Sequence, residues 1–262
     1  MSDKPKLYDY QEEGVRMELA MKRCINGDDM GTGKTVQSIV AIERAKATPC
    51  LVICPAALKV NWEREIKKFT NLRPLILTDS VNATYGYHLT KMNLYDVVIC
   101  NYESLAKYFV VSLGPKPLRL NNFLFRDELK IIKSVIIDES ARVKDPSTRQ
   151  SKIIMGLCQG KEYIYELTGT PVVNHATDLA CQLAILGRLN DEFGGFGEFC
   201  NRYGENENLE ELNRKIHETC YFRREKKDVL KDLPDLLQNS PNPPNSSFRR
   251  PRIASWQARS VA

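Results

Sequence analysis

The 262-residue sequence is short of several things, and each shortage removes a class of function. No apolar run approaches the ~20 residues that a membrane-crossing helix needs. The opening "MSDKPKLYDYQ" lacks the apolar stretch of a secretory signal. A soluble, intracellular protein with no membrane partner is therefore expected, cytoplasmic or nuclear according to its host. Histidine occurs only three times and no two cysteines are spaced C-x-x-C, which argues against a zinc site. The eight cysteines are scattered, and Cys50, Cys54 and Cys100 sit inside apolar runs, where a thiol behaves as a small hydrophobe. They are expected to be reduced. Residues 238–262 hold no acid at all, but four arginines: Arg249, Arg250, Arg252 and Arg259. Of the net charge of +5, four units thus belong to the tail; the +1 left on the body points to no partner. There is no internal repeat.

Short apolar runs are present instead, alternating with helical patterns from Pro49 onward. "CLVIC" (50–54), "PLILT" (74–78), "DVVIC" (96–100), "SVIID" (134–138) and "YIYELTGT" (163–170) read as buried strands. Between them, "ALKVNWEREIKKF" carries Leu58, Trp62, Ile66 and Phe69 at helical spacing, and "YESLAKYFVVSL" also reads as a helix. Near-continuous apolar strands separated by helices imply an α/β chain with a mostly parallel sheet covered on both faces. Ligands bind such sheets at the carboxyl ends of the strands. From Asn190 the pattern weakens to a loop with one short helix, followed by "LEELNRKIHETCYFRREKKDVLKDLPD", which reads as a charged helix with a basic end. Beyond Leu237 the proline, serine and asparagine content cannot bury a core, so disorder is expected.

One glycine is missing from a place where it would be informative. "NGDDMGTGKTVQ" (26–37) looks like a phosphate loop, but the strict G-x-x-x-x-G-K-[ST] spacing wants glycine where Asp28 stands. Gly31 and Gly33 allow a tight backbone path, Lys34 supplies charge for the outer phosphates, and Thr35 supplies a hydroxyl for magnesium. Val36, Ile39, Val40 and Ile42 follow at positions suiting a helix packed on the sheet. Alone, the string could be a glycine turn preceding a lysine. A second feature favours the site. "SVIIDES" ends a buried strand in Asp138 and Glu139, and two acids there are costly unless they act. Asp138 suits magnesium ligation and Glu139 suits orienting an attacking water. Solvated acids at a strand boundary are the bland alternative.

These residues resemble motifs I, II and III of superfamily-two helicases. More narrowly, "YDYQEEGV", "DDMGTGKTVQ", "CPAALKVNWEREIKKF", "VVICNYESL" and "LTGTPVVN" are similar to the Swi/Snf family of DNA-translocating ATPases, including its DNA-annealing branch. The likeness runs in order from about Leu7 to Pro234. In that family an acid at the position of Asp28 is ordinary. The resemblance implies a three-layer, recombinase-like P-loop NTPase lobe, the first of two, using ATP and Mg2+ and acting on double-stranded DNA. It implies adenine contact by Gln11, a phosphate cradle from Met30, Gly31, Thr32, Gly33, Lys34 and Thr35, and catalytic roles for Lys34, Asp138 and Glu139, with Thr35 and Asp138 on the metal. It implies a DNA track bordered by Lys59, Asn61, Trp62, Tyr102, Thr168 and Thr170. Without the resemblance, Gln11 reads as a surface glutamine on an early helix and Trp62 as a core residue.

Two departures stand out. Where the family's second motif carries histidine, this chain has Ala141. The second lobe's Q-x-x-G-R-x-x-R is not found; Gln182, Gly187 and Arg188 come nearest, at the wrong spacing. The expected organisation is an ATP-binding lobe over 1–188, a helical extension over 189–237 leading towards a second lobe, and a disordered basic tail over 238–262. Such a chain is expected to bind ATP weakly and hydrolyse it slowly by itself. The competing expectation is a nucleotide-dependent binding module without catalysis.

Overall fold

The chain enters through helix α1 (Asp9–Met21), strand β1 (Arg23–Asn26), helix α2 (Lys34–Ala45) and strand β2 (Cys50–Cys54). In this computed structural model residues 4–81, 84–90, 92–115, 118–169, 176–205 and 207–229 are described. Next come α3 (Lys59–Phe69), β3 (Pro74–Ile76), α4 (Tyr85–Thr90), β4 (Val97–Asn101), α5 (Leu105–Phe109), β5 (Val110–Ser112) and β6 (Leu124–Phe125). Then follow β7 (Ser134–Asp138), α6 (Arg149–Cys158), β8 (Tyr163–Leu167), α7 (Ala176–Ile185), α8 (Arg188–Phe193), α9 (Phe196–Tyr203), α10 (Leu209–Thr219), β9 (Tyr221–Phe222) and α11 (Lys226–Val229).

Among the described residues seven strands form one sheet in the order β3-β4-β2-β7-β8-β1-β9, with every pairing parallel. The strands are apolar on both faces because both faces are covered. Leu51, Ile53, Val98, Val135, Ile137 and Ile164 pack with side chains of α4 to α10, Leu105, Ile154, Leu179 and Phe199 among them. Their chain neighbours Val52, Val97, Ile99, Ile136 and Tyr165 turn to the opposite face, against Ile39 and Ile42 of α2 and Trp62 and Ile66 of α3. Each fully buried aliphatic or aromatic side chain contributes about 1.5–3 kcal/mol, so the two cores fix the register of the sheet. This is the three-layer α/β lobe that the motifs imply. Because all neighbours are parallel, the carboxyl ends of β1, β8 and β7 lie side by side along one edge.

Several expected elements differ in detail. "YESLAKYFVVSL" does not stay helical: α5 ends at Phe109, and the β-branched Val110 and Val111 continue as β5, antiparallel to β6. The stretch from Asn190 holds two helices rather than one, separated by Gly194 and Gly195 at φ 71° and 95°. They are held by a cluster of Phe193, Phe199 and Tyr203, with ring centroids of Phe199 and Tyr203 5.1 Å apart. The long charged helix is interrupted. α10 stops at Thr219, and Tyr221 and Phe222, each 3% exposed, form an edge strand beside β1. Two aromatic side chains gain more by joining the core than by continuing a solvated helix. The described part of residues 189–229 is therefore hydrogen-bonded into the same sheet as the phosphate loop. Residues 230–237 and the 238–262 tail lie outside the described residues. All eight cysteines are free, and seven of them are buried.

Candidate functional site

Two of the glycines in the loop between β1 and α2 stand where the backbone demands them. Gly31 and Gly33 both sit at φ 85°, a region other residues enter at a cost, and Asp28 is not among the described positive-φ residues. Asp28 serves a different purpose: its side chain is completely buried and paired with Arg224. α2 starts at Lys34 with Gly33 as its N-cap, and no side chain caps it. Its first-turn N–H groups and the positive end of its dipole thus suit phosphate oxygens. The Lys34 ammonium donates to the Asp28 and Asp29 carbonyls at 2.6 and 3.1 Å. Burial lowers its pKa, while the charges of Asp28, Glu139 and Asp138 oppose that shift. Gln11 ties α1 to the loop, donating from Nε2 to the Thr32 carbonyl at 3.2 Å and accepting from the Tyr8 N–H at 3.1 Å.

Two strands away, β7 delivers Asp138. One carboxylate oxygen accepts from the Trp62 indole N–H at 2.8 Å, the other from the Glu139 N–H at 3.0 Å, and the Asp138 carbonyl accepts from the Tyr102 hydroxyl at 2.5 Å. Burial raises the Asp138 carboxyl above its ordinary range, with the Trp62 bond opposing. Glu139 holds a left-handed backbone at φ 55°, ψ 47°. Such strain in a residue other than glycine costs about 1–3 kcal/mol and clusters at functional sites.

The turn after β8 closes the arrangement. The Thr168 N–H donates to the Asn26 carbonyl at 3.1 Å, joining the ends of β8 and β1. A Cβ at Gly169 would come within 2.6 Å of Met30 Cγ and 3.7 Å of Lys34 Nζ, so this turn lies directly against the loop. Loop, acidic pair and Thr-Gly turn therefore meet at one edge. The Thr35 hydroxyl and the Asp138 carboxylate are the hard oxygen donors that magnesium prefers, and an uncapped helix start beside a lysine fits a phosphate chain.

The sequence matches the SNF2-related domain over residues 10–240. The chain belongs to the SNF2-related family. It is 28% identical over 244 residues to the Caenorhabditis elegans SWI/SNF-related matrix-associated actin-dependent regulator of chromatin subfamily A-like protein 1 homolog, covering 88% of this chain and 33% of that protein. It is 27% identical over 255 residues to the human DNA annealing helicase and endonuclease ZRANB3, covering 89% of this chain and 22% of that protein. Among solved structures, the Sulfolobus solfataricus SWI2/SNF2 ATPase core in complex with dsDNA aligns with a TM-score of 0.67 at 30% identity, covering 88% of this chain and 47% of that one. The chain thus spans a third or less of these curated relatives and about half of the solved core. No helix among the described residues is long and apolar enough to cross a membrane.

Within this family lobe, the residues expected along a DNA track separate into two groups. Asn61 is exposed and Lys59 partly so, with Lys59 Nζ 3.4 Å from Asn101 Oδ1. Trp62, Tyr102 and Thr168 are 0%, 3% and 3% exposed. A side chain without surface cannot meet DNA in this arrangement. Trp62 and Tyr102 instead brace Asp138, a correction to the expected role, because their polar tips find buried partners there. Thr170 lies outside the described residues. Sequence reasoning missed Arg224, Gln37 and Glu18. Glu18 is fully buried on α1 and accepts from the Asn26 amide at 2.9 Å and the Ser38 hydroxyl at 2.7 Å; burial pushes its carboxyl up to about 8. No local motif assigns these residues a role, although Gln37 ends the quoted "DDMGTGKTVQ". For Glu18 and Gln37 the signal is polarity at helix positions where periodicity calls for core; Arg224 lies between β9 and α11 and carries no such signal.

Proposed function

We propose that this chain is the ATP-binding lobe of a DNA-dependent ATPase that translocates on double-stranded DNA. The observation that carries the reading is the convergence of the Gly31–Thr35 loop, the Asp138–Glu139 pair and Gly169 on one edge of a parallel sheet. Lys34 and the loop N–H groups hold the outer phosphates. Thr35 and Asp138 hold Mg2+, which when bound supplies charge neutralisation on the phosphate oxygens. Glu139 orients the attacking water, and the carboxyl shift at neighbouring Asp138 is restrained by Trp62. Gln11 reaches the adenine by exchanging its bond to Thr32. The relatives named for annealing DNA, and the solved core bound to dsDNA, support DNA as the partner. DNA contact falls to the exposed Asn61 and the partly exposed Lys59 of α3, mainly through phosphates. A second lobe supplies arginines that stabilise charge developing on the transferred phosphoryl group.

The test is the ATPase rate with and without duplex DNA, for wild type and Lys34→Ala, at two salt concentrations. The isolated chain is expected to turn over slowly, and addition of a separately produced second lobe to restore DNA-stimulated turnover that falls with salt. Strong DNA-stimulated turnover by the chain alone would contradict the division of labour. Loss on substitution without any DNA dependence would keep the nucleotide site and discard translocation. Ala141, standing where the family carries histidine, favours a second reading as a nucleotide-dependent binding module; no activity with an added second lobe would select it.

A further inference from the structure

The segment that leaves the lobe is fastened to the phosphate loop by side chains. Arg224 follows β9, 196 residues after Asp28, and its side chain is 15% exposed. Its backbone N–H donates to Asp28 Oδ1 at 2.9 Å, its Nε to the same oxygen at 3.2 Å, and its Nη2 to Asp28 Oδ2. Nη2 also reaches Gln37 Oε1 at 2.9 Å, and Nη1 donates to the Tyr10 carbonyl. Gln37 in turn donates to Asp28 Oδ2 at 3.3 Å and to the Thr32 carbonyl at 3.4 Å inside the loop. Beside this, Asp29 accepts from Arg223 Nη2 at 3.0 Å and from the Lys226 N–H at 2.8 Å, while its own N–H donates to the Arg224 carbonyl at 3.2 Å.

Two glycines make room for this fastening. A Cβ at Gly14 would fall 1.9 Å from Gln37 Oε1 and 2.5 Å from Arg224 Nη2, and a Cβ at Gly27 would fall 2.5 Å from the Tyr221 hydroxyl. Of the loop residues so held, Asp28 and Asp29 precede the Gly31–Thr35 cradle and Thr32 lies within it. Asp28 and Asp29 also present the two carbonyls that receive the Lys34 ammonium. A buried carboxylate bound bidentately by arginine is geometrically specific, so it fixes where those carbonyls point.

We propose that Arg224 is a positioning residue for the phosphate loop, and that docking of residues 222–226 and binding of nucleotide favour each other. The inference rests on the nucleotide-binding reading above and adds a regulatory link to it. Nucleotide affinity depends on whether the outgoing segment is seated, and by reciprocity bound nucleotide tightens that segment. Whatever unseats residues 222–226 then weakens the hold on nucleotide without touching the cradle.

The test uses the full chain, with ATP·Mg as probe in calorimetry and in hydrogen exchange of the 224 and 226 amides. Arg224→Ala is expected to weaken ATP·Mg binding by roughly tenfold or more, and Arg224→Lys, keeping charge but not the fork, to recover part of it. Arg73→Ala, which breaks the Arg73–Asp96 ion pair elsewhere on the surface, is expected to leave ATP affinity unchanged. In wild type, ATP·Mg is expected to slow exchange at both amides. Should Arg224→Ala fail to fold, Arg223→Ala removes the partly exposed bond to Asp29, together with the Arg223 contact to the Tyr221 hydroxyl, and is expected to weaken the ATP effect on the 226 amide. A folded Arg224→Ala protein with affinity within about twofold of wild type, or exchange indifferent to ATP, would overturn the proposal and leave the nucleotide site standing. Absence of ATP·Mg binding in wild type would overturn both.

Discussion

Replacing Trp62 by phenylalanine isolates one bond at the acidic site. Trp62 has no exposed surface, and its indole N–H is the side-chain donor to Asp138, 2.8 Å from Oδ2. Phenylalanine keeps an aromatic ring in the core but cannot donate. A hydrogen bond to an ionised group contributes about 1.5–3 kcal/mol, and the smaller ring leaves a void costing about 1 kcal/mol more. Trp62→Phe should therefore lower unfolding free energy by about 3 kcal/mol at pH 7.5. Asp138→Ala removes the acceptor. In a double-mutant cycle the coupling between the two changes should be about 1.5–3 kcal/mol, since the void term cancels. Urea unfolding followed by far-UV circular dichroism is the suitable assay, because Trp62 is one of only two tryptophans and its loss alters fluorescence directly. The pH dependence adds a second sign. Burial already raises the Asp138 carboxyl, and losing the indole donor raises it further. A carboxyl raised in the folded state contributes stability that is lost as pH rises through its folded pKa. The variant should therefore lose stability more steeply than wild type on going from acid to neutral pH. A coupling below about 0.5 kcal/mol, or parallel pH curves, would refute the assignment of Trp62 as the brace of Asp138.

Glu18 yields a pH prediction of the same sign. Its carboxyl rises from 4.5 to about 8 through burial, so between those values the unfolded chain ionises while the folded one stays protonated, and stability falls. Glu18→Gln should flatten thermal stability between pH 5 and 8 and exceed wild type above pH 8, by at most about 4–5 kcal/mol; unchanged slopes would contradict it. Gly33→Ala meets both a positive φ of 85° and the Gln11 amide, 2.4 Å from the new Cβ. It should cost about 1–3 kcal/mol in urea unfolding and weaken ATP binding in calorimetry, and a variant equal to wild type in both would show that the loop adapts.

Much of the lobe was legible because its strands are apolar on both faces. "SVIID" gives β7 residue for residue, and the Asp-Glu pair at its end marks the site. The loop was legible from Gly31, Gly33 and Lys34. β1 was not, since "RCIN" is four residues long, begins with arginine and ends with a buried asparagine, yet it carries the loop near the sheet's edge. β9 was hidden because Tyr221 and Phe222 sit between charged stretches whose periodicity suggests a single helix. The Asp28–Arg224 pair was beyond reach for another reason. Its partners are far apart in sequence, and their pairing follows from the register of β9 on β1. Trp62 shows the complementary case: family likeness set it at the border of a DNA track, whereas its own pattern read as core, and burial turns its only donor inward.

The most direct measurement is calorimetric binding of ATP to the full chain, with and without Mg2+, for wild type, Lys34→Ala and Asp138→Asn. One saturable site should appear in wild type, lost with Lys34→Ala and stripped of its magnesium dependence with Asp138→Asn. Equal, magnesium-dependent binding by all three proteins would contradict a nucleotide site at this edge of the sheet.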